Sequence, residues 1–297
     1  MAKTKTQRPK TAKSGKGAKA DTYKAERNNR NDRQQRRPRR DRAEEAPAAV
    51  LPEGLIAGRN AVFEALRSGR AIDRLFVQDN AEGSIGKILA EAKERGLVMT
   101  RVSRAALDRM AAGAVHQGVV AQAAAHTYAE VEDILRLAES RGEDPLLVLL
   151  DGLEDPHNLG AIMRSAECAG AHGIIIPKHA SVGLTETVAK ASAGAIEYMP
   201  VARVTNLVRT MEELKEKGVW IAACDMGDSL YYEADLKGPL AIVVGNEGKG
   251  ISRLVKEHCD LTVSIPLRGK INSLNASNAA AVILYEARRQ RDLAAAD

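Results

Sequence analysis

Residues Leu261 to Gln290 read LTVSIPLRGKINSLNASNAAAVILYEARRQ, and the reading of this stretch decides the reading of the whole chain. A β-branched run, Leu261–Ile265, is stopped by Pro266, and a polar turn covers Arg268–Asn275. Apolar Ala276, Ala280, Ile283, Leu284 and Ala287 then recur at helical spacing. The turn and helix start hold Asn272, Ser273, Asn275, Ser277 and Asn278, more hydrogen-bonding groups than one helix cap requires. The first helical turns carry little bulk (Ala276, Ala279, Ala280, Ala281), so another backbone or a flat ligand can come close. Taken alone, the stretch reads equally as an Asn/Ser-rich cap on a surface helix.

Working back from it, strands and helices alternate. Candidate strands are Leu146–Leu150, Gly173–Pro177, Ile196–Met199, Val219–Cys224, Leu240–Val244 and Leu261–Ile265. Helices fall between them, including Leu159–Ala169, ended by Gly170, and Asn206–Lys217, ended by Gly218. Near-continuous apolar strands alternating with helices predict an α/β fold with a parallel six-stranded sheet covered on both faces, over residues 146–297. Before Pro145, Glu130–Asp144 is a charged helix and turn, so residues 128–145 read as a linker. Residues 53–127 read as a separate small α/β unit. It has helices at Asn60–Arg67, Ile85–Arg95 and Ala105–Met110 and strands at Ile72–Val77, Val98–Val102 and Val119–Ala125. Its His116 has no partner in register and reads as structural.

Residues 1–49 are low-complexity, with Tyr23 the only aromatic. Such a segment buries too little apolar area to offset its ordering entropy, which predicts a disordered tail. The net charge of +5 hides an asymmetry. Residues 1–45 hold 16 Lys/Arg against 6 Asp/Glu, a surplus of ten, and the remainder holds 28 against 33, a deficit of five. The densest basic run, Arg36, Arg37, Arg39, Arg40 and Arg42, suits an arm that condenses on nucleic acid. A solubilising tail is the alternative. Arg59, at the start of the small unit, joins these five as a candidate nucleic-acid contact.

The composition excludes several classes. Three scattered cysteines without a CxxC pair, and six scattered histidines without HxxxH, indicate no disulfide framework and no metal site. No apolar run approaches membrane-spanning length and no signal-peptide core is present, so the expected location is the cytoplasm. With only two Phe, six Tyr and one Trp in 297 residues, the core must be aliphatic and base stacking cannot dominate any nucleic-acid binding.

Ligands on open parallel sheets bind beyond the carboxyl ends of the strands, and three such ends are chemically loaded. The first strand runs into DGLEDPHNLG (Asp151–Gly160), the fifth into GNEGKG (Gly245–Gly250), and the sixth into Pro266–Asn275. The glycine loop follows the wrong strand for a dinucleotide fingerprint and lacks the GKS/GKT ending of a phosphate-binding loop. With a helix starting at Leu159, Asn158 is expected at its N-cap and Arg164 about one and a half turns in. A cap with a solvent-facing arginine and a functional pair both fit that loop.

Together, DPHNLGAIMRSAECAG, IVVGNEGKGIS and IPLRGKINSLNASNAAAVILYEARRQ resemble the three ordered motifs of the SpoU branch of the SPOUT methyltransferases. The resemblance covers about Glu53 to Gln290. It implies methyl transfer from S-adenosylmethionine (SAM), without a metal, to a ribose 2′-hydroxyl of RNA. Within the family the chain is most similar to the enzymes acting on a guanosine of 23S rRNA. The same chemistry on tRNA or another rRNA nucleotide, or a non-catalytic RNA-binding ribosome-assembly factor, are the alternatives. The resemblance further implies a C-terminal trefoil knot, an L30e-like RNA-binding fold for residues 53–127, and a homodimer with each active site completed across the interface. By resemblance Asn158, Arg164, Glu247, Ser273 and Asn275 are the catalytic positions. Val244, Gly245, Asn246, Gly248, Ile265, Leu267 and Leu274 surround SAM. A guanidinium holds its proton far above physiological pH, so Arg164 is expected to position a phosphate and stabilise charge on the 2′-oxygen rather than act as a base. Ser273 would help hold the phosphate, Glu247 would orient Arg164 or Asn275, and Asn158 would fix local geometry.

Overall fold

A computed structural model describes residues 51–81, 83–227 and 229–295. The basic tail, with Arg36, Arg37, Arg39, Arg40 and Arg42, lies outside the described residues.

Residues 55–123 run β1 (Leu55–Ala57), α1 (Arg59–Arg67), β2 (Ile72–Gln78), α2 (Ile85–Glu94), β3 (Val98–Val102), α3 (Arg104–Met110) and β4 (Val119–Ala123). The strands form one mixed sheet in the order β1-β4-β2-β3, with only β2 and β3 parallel. Aliphatic faces of α1 and α2 (Val62, Leu66, Ile85, Ile88) pack on Leu75 and Val119 of the sheet. Strand β1, hidden in a three-residue LIA run, is too short for periodicity to reveal.

After α4 (Val131–Arg141) the chain runs β5 (Leu146–Asp151), α5 (Pro156–Cys168), β6 (Gly173–Pro177), α6 (Glu186–Ala191), β7 (Val201–Val204), α7 (Leu207–Glu216), β8 (Trp220–Cys224), β9 (Leu240–Gly245), α8 (Arg253–Glu257), β10 (Leu261–Val263) and α9 (Ala276–Ala294). The six strands form a parallel sheet in the order β10-β8-β9-β5-β6-β7. The chain builds β5-β6-β7 in one direction, then crosses over, and β9 returns to lie beside β5. That reversal of strand order is where a doubly covered sheet opens a crevice. Buried residues lie on both faces: Leu146, Val148 and Leu150 pack toward α5 and α9, while Leu147 and Leu149 alternate to the α7 side.

Two sequence expectations are corrected. Ile196–Met199 is not a strand: a 3₁₀ turn spans Ala195–Glu197, and the strand is Val201–Val204. Ile196 and Met199 stand three residues apart, both buried, which suits a helical turn, and Pro200 marks the strand's start. Next, α5 begins at Pro156 rather than Leu159. Its cap is Asp155, whose side chain accepts from His157 N at 2.9 Å, with proline at the first helical position where its missing N–H costs nothing. The stretch expected to join the two units also packs on the large sheet. Ile134 of α4 is fully buried, and a Cβ on Gly173 would stand 2.5 Å from its side chain. Gly160 serves the same end in α5, where a Cβ would meet Ala191 Cβ at 2.5 Å.

A buried polar joint links the two sheets. Tyr128 donates to Asp73 Oδ1 of β2, and Arg203 of β7 reaches Asp73 Oδ1 at 3.3 Å and its carbonyl at 2.9 Å. Burial raises the Asp73 carboxyl above its usual range, with the Tyr128 hydrogen bond and the Arg203 charge opposing. No helix among the described residues is long and apolar enough to cross a membrane.

Candidate functional site

Three of the five residues expected to carry catalysis meet at the carboxyl ends of β5 and β9. The cap of α9 fixes the arrangement. Asn275 Oδ1 accepts from Ser277 N at 2.9 Å, Ser277 Oγ at 2.6 Å and Asn278 N at 3.4 Å. A backbone N–H can only donate, so the amide orientation is set and Nδ2 faces outward as a donor. It donates to Asn158 Oδ1 at 2.9 Å, and Asn158 Nδ2 donates to Glu247 Oε1 at 2.9 Å. Asn158 therefore sits inside α5 and is buried, not at its cap. Glu247 addresses Asn158, and reaches Asn275 only through it. The row of amides runs from the partly positive start of α9 to a carboxylate, the direction the helix dipole favours.

Around it the glycine loop is closed by its own backbone. Asn246 and Gly250 exchange hydrogen bonds of 3.0 and 2.9 Å. Asn246 Oδ1 accepts from Gly248 N and Lys249 N, while its Nδ2 donates to Gly152 O at 2.8 Å, tying the β9 loop to the β5 loop. A Cβ on Gly245 would stand 2.2 Å from Gly250 C and 2.3 Å from Ile251 N. Gly245 is small so that the loop can fold onto itself.

Beside the row lies a cavity of about 480 Å³. Val244, Gly245, Asn246, Gly248, Ile265, Leu267 and Leu274 all line it, as do Glu247 and Ser273. Ala276 and Ala279 form part of its wall, so small residues at the start of α9 leave room for an occupant. Ser273 is exposed at this wall. Arg164 does not join the group. Six residues along α5 from Asn158 it stands about 120° around the helix, is exposed, and makes no hydrogen bond or ion pair among the described residues. Arg59, by contrast, lies in the small unit.

One wall went unread in the sequence. Cys224, the last residue of β8, and Asp225 and Met226 just past it line the cavity, and Asp225 Oδ2 pairs with Lys256 Nζ at 2.7 Å. The signal was available, since a parallel strand's carboxyl end is where ligands are met, but no cluster of polar residues drew attention to it. Burial first, then the Asp225 charge, push the Cys224 thiol up to about 11, so it stays protonated and unreactive. Among the described residues no group of three or more His, Cys, Asp or Glu is placed to hold a metal ion.

Comparison with known proteins places these features. Residues 145–285 match the profile described as the SpoU rRNA Methylase family, and residues 55–129 match that described as RNA 2′-O ribose methyltransferase substrate binding. YacO of Bacillus subtilis (strain 168), placed by its name in the TrmH family of tRNA/rRNA methyltransferases, is 51% identical over 239 residues. That alignment covers 80% of this chain and 96% of the relative. A Staphylococcus haemolyticus protein of the same family name is 47% identical, covering 80% and 96%. Among solved structures, the SpoU methyltransferase AviRb from Streptomyces viridochromogenes, in complex with AdoMet, superposes with a TM-score of 0.52. It is 29% identical and the match covers 80% of this chain and 90% of that one.

Proposed function

The chain belongs to the SpoU rRNA Methylase family of SAM-dependent tRNA/rRNA methyltransferases, and from that premise we propose that its target is a ribose 2′-hydroxyl, of a guanosine in 23S rRNA. The observation that carries the reading is the Asn275–Asn158–Glu247 row beside the cavity at the β5/β9 strand ends.

The cavity suits SAM by its donor set. Val244, Ile265, Leu267 and Leu274 offer an apolar wall for a flat base, and backbone groups of the glycine loop and the 265–274 turn offer polar partners. SAM bound there would supply a methyl group already activated on a sulfonium. The protein's own task is then to orient the hydroxyl and to favour charge on its oxygen. The amide row holds Glu247, a lining residue of the cavity, through one carboxylate oxygen committed to Asn158. Ser273 at the exposed rim is assigned to a phosphate of the substrate. Arg164 is assigned the same phosphate and the developing oxyanion, using the bidentate fork that lysine lacks. Its position away from the row supports a homodimer in which Arg164 of one copy completes the site of the other. The trefoil knot, the division into residues 53–127 and 146–297 joined by 128–145, and RNA attraction by the basic tail belong to the same proposal.

Tritiated methyl transfer from SAM to bulk rRNA and bulk tRNA, followed by digestion to nucleosides, tests it. The expected product is 2′-O-methylguanosine in the large-subunit rRNA. Label confined to tRNA would move the target. SAM binding without transfer to either RNA would leave an assembly factor that binds but does not react.

A further inference from the structure

A second cavity, of about 780 Å³, is lined entirely by residues 59–118 of the small unit, so none of its lining belongs to the methyl-transfer site. Building on the reading of the chain as an RNA methyltransferase, we propose that this cavity takes one unpaired nucleotide of the RNA, splayed out of its stack. In that arrangement Arg59 and Arg104 hold its phosphate and the amides of Gln78 and Asn80 read its base edge. The volume lies in the range of about 300–1,000 Å³ that small-ligand sites occupy.

The site is built before any ligand arrives. Gly58 enters α1 with φ 95°, and a Cβ there would stand 3.2 Å from Val115 O, so the 113–118 loop packs against the start of the helix. In that loop Gln117 holds φ 50°, an uncommon region for a side-chain-bearing residue, and the conformation has a use. Its Oε1 accepts Arg59 N at 3.0 Å and its carbonyl accepts Arg59 Nε at 3.0 Å, while Arg59 Nη1 donates to Ser84 Oγ at 2.9 Å. The guanidinium is thereby pinned between two walls, and its Nη2 makes no hydrogen bond among the described residues. A cation immobilised in advance loses little entropy when it binds an anion, unlike a solvated surface arginine. His116 steadies the same loop. Its Nδ1 accepts Gly118 N at 3.0 Å, which places the ring proton on Nε2, donating to Asp108 Oδ1 at 2.9 Å.

The lining chemistry selects the occupant. Side-chain amides present a donor and an acceptor side by side, the pattern that pairs with a base edge. Ala81, Ala114 and the exposed Val115 give an apolar surface for a base's flat face. No Phe, Tyr or Trp lines the cavity among the described residues, and the one ring there, His116, is buried and committed at both nitrogens, so stacking of consecutive bases is not what it offers. A single nucleotide read on its edge fits better than a run of single strand, and a paired base would hide the edges the amides need.

The test uses the full chain with Arg104→Gln and Asn80→Ala combined. Both residues are exposed and neither makes a side-chain hydrogen bond among the described residues, so the fold is kept. The expected result on bulk rRNA is a KM raised about tenfold, with kcat and the calorimetric SAM affinity unchanged. The slope of log RNA affinity against log salt should become shallower by about 1, the share of one phosphate contact. A photo-crosslinker placed by Asn80→p-benzoylphenylalanine, irradiated with rRNA and mapped by primer extension, should mark a nucleotide that single-strand reagents modify in the free RNA. Unchanged KM and salt slope in an active enzyme would overturn the proposal. So would crosslinks to paired nucleotides, or crosslinks only to protein when ribosomal particles are supplied. A crosslink to unpaired RNA by the Asn80→p-benzoylphenylalanine chain, with the wild-type chain methylating nothing, would instead sink the proposed function and leave this site standing.

Discussion

The two cavities use polar side chains in opposite ways. Beside the large sheet, Asn275, Asn158 and Glu247 bond to one another and Asn246 bonds to two loops, leaving few side-chain groups unassigned. In the small unit, Arg59 and Gln117 use part of their capacity to fix the walls, while the Gln78 and Asn80 edges face open space. A site that must hold reacting atoms to a fraction of an ångström needs its groups locked, because misplacement costs rate directly. A site that must admit a large polymer needs groups left open to exchange water for ligand. Under the proposed function, the contrast fits chemistry at the strand ends and recognition in the helix–loop pocket.

The largest expected effect breaks the locked side. Asn158→Ala removes the middle of the row, leaving Asn275 Nδ2 and Glu247 without their partner. The kcat for methyl transfer should fall at least about 100-fold, or about 2.7 kcal/mol of transition-state stabilisation, with RNA affinity retained. Loss of RNA binding at unchanged kcat would reverse the assignment of the two sites. Arg164→Ala should give a comparable loss of kcat while calorimetry shows SAM affinity kept, and Arg164→Lys should recover little. If the alanine variant lost SAM instead, its assignment to RNA would be wrong.

A smaller effect is expected from Gly245→Ala. The added methyl falls 2.2 Å from Gly250 C, so the loop must open. SAM affinity should drop about tenfold, or about 1.4 kcal/mol, and Tm should fall. Wild-type affinity would show that the loop's closure does not shape the cavity. Deleting residues 1–48 should be milder for chemistry. RNA affinity should weaken and its salt slope flatten by about 0.7–0.9 per lost phosphate contact, with kcat at saturating RNA and SAM affinity unchanged. An unaltered slope would leave the RNA-holding charge entirely on the small unit.

The smallest effect concerns the joint between the sheets. Burial raises Asp73 above its unfolded value of 3.8, so within that window the folded state binds more protons than the unfolded one. Stability contributed by this group is therefore present at low pH and lost as pH rises through the raised value. The slope cannot exceed that of one proton, about 1.4 kcal/mol per pH unit. Denaturant titrations should show this slope in the wild type and not in Asp73→Asn. Equal slopes would mean that Asp73 stays ionised throughout, held by Arg203.

Much of the fold was legible in the residues. Five of the six candidate strands of the large sheet match observed strands within about two residues at either end, because long apolar runs between glycines leave few alternatives. Helices α6 and α8, at six and five residues, are too short to show a period. Ile196 and Met199 were apolar for the right reason, burial, but in a turn rather than a strand. Helix α5 starts three residues earlier than Asn158 suggests, because Asp155-Pro156 is the stronger start signal.

By itself, then, the sequence determined the element types, the parallel sheet, the three loaded loops and the residue types they carry. All of these depend on neighbours within a turn or a strand. Tertiary structure alone decided which of them meet. Asn158 lies 89 residues from Glu247 and 117 from Asn275. They touch because β9 returns to pair with β5, and because Asn275, held by its own cap, presents a donor to α5. It also decided that Arg164, the same distance from Asn158 in any helix, faces outward. A helical period says which face a residue takes relative to its neighbours, and only packing of the whole sheet says what that face meets.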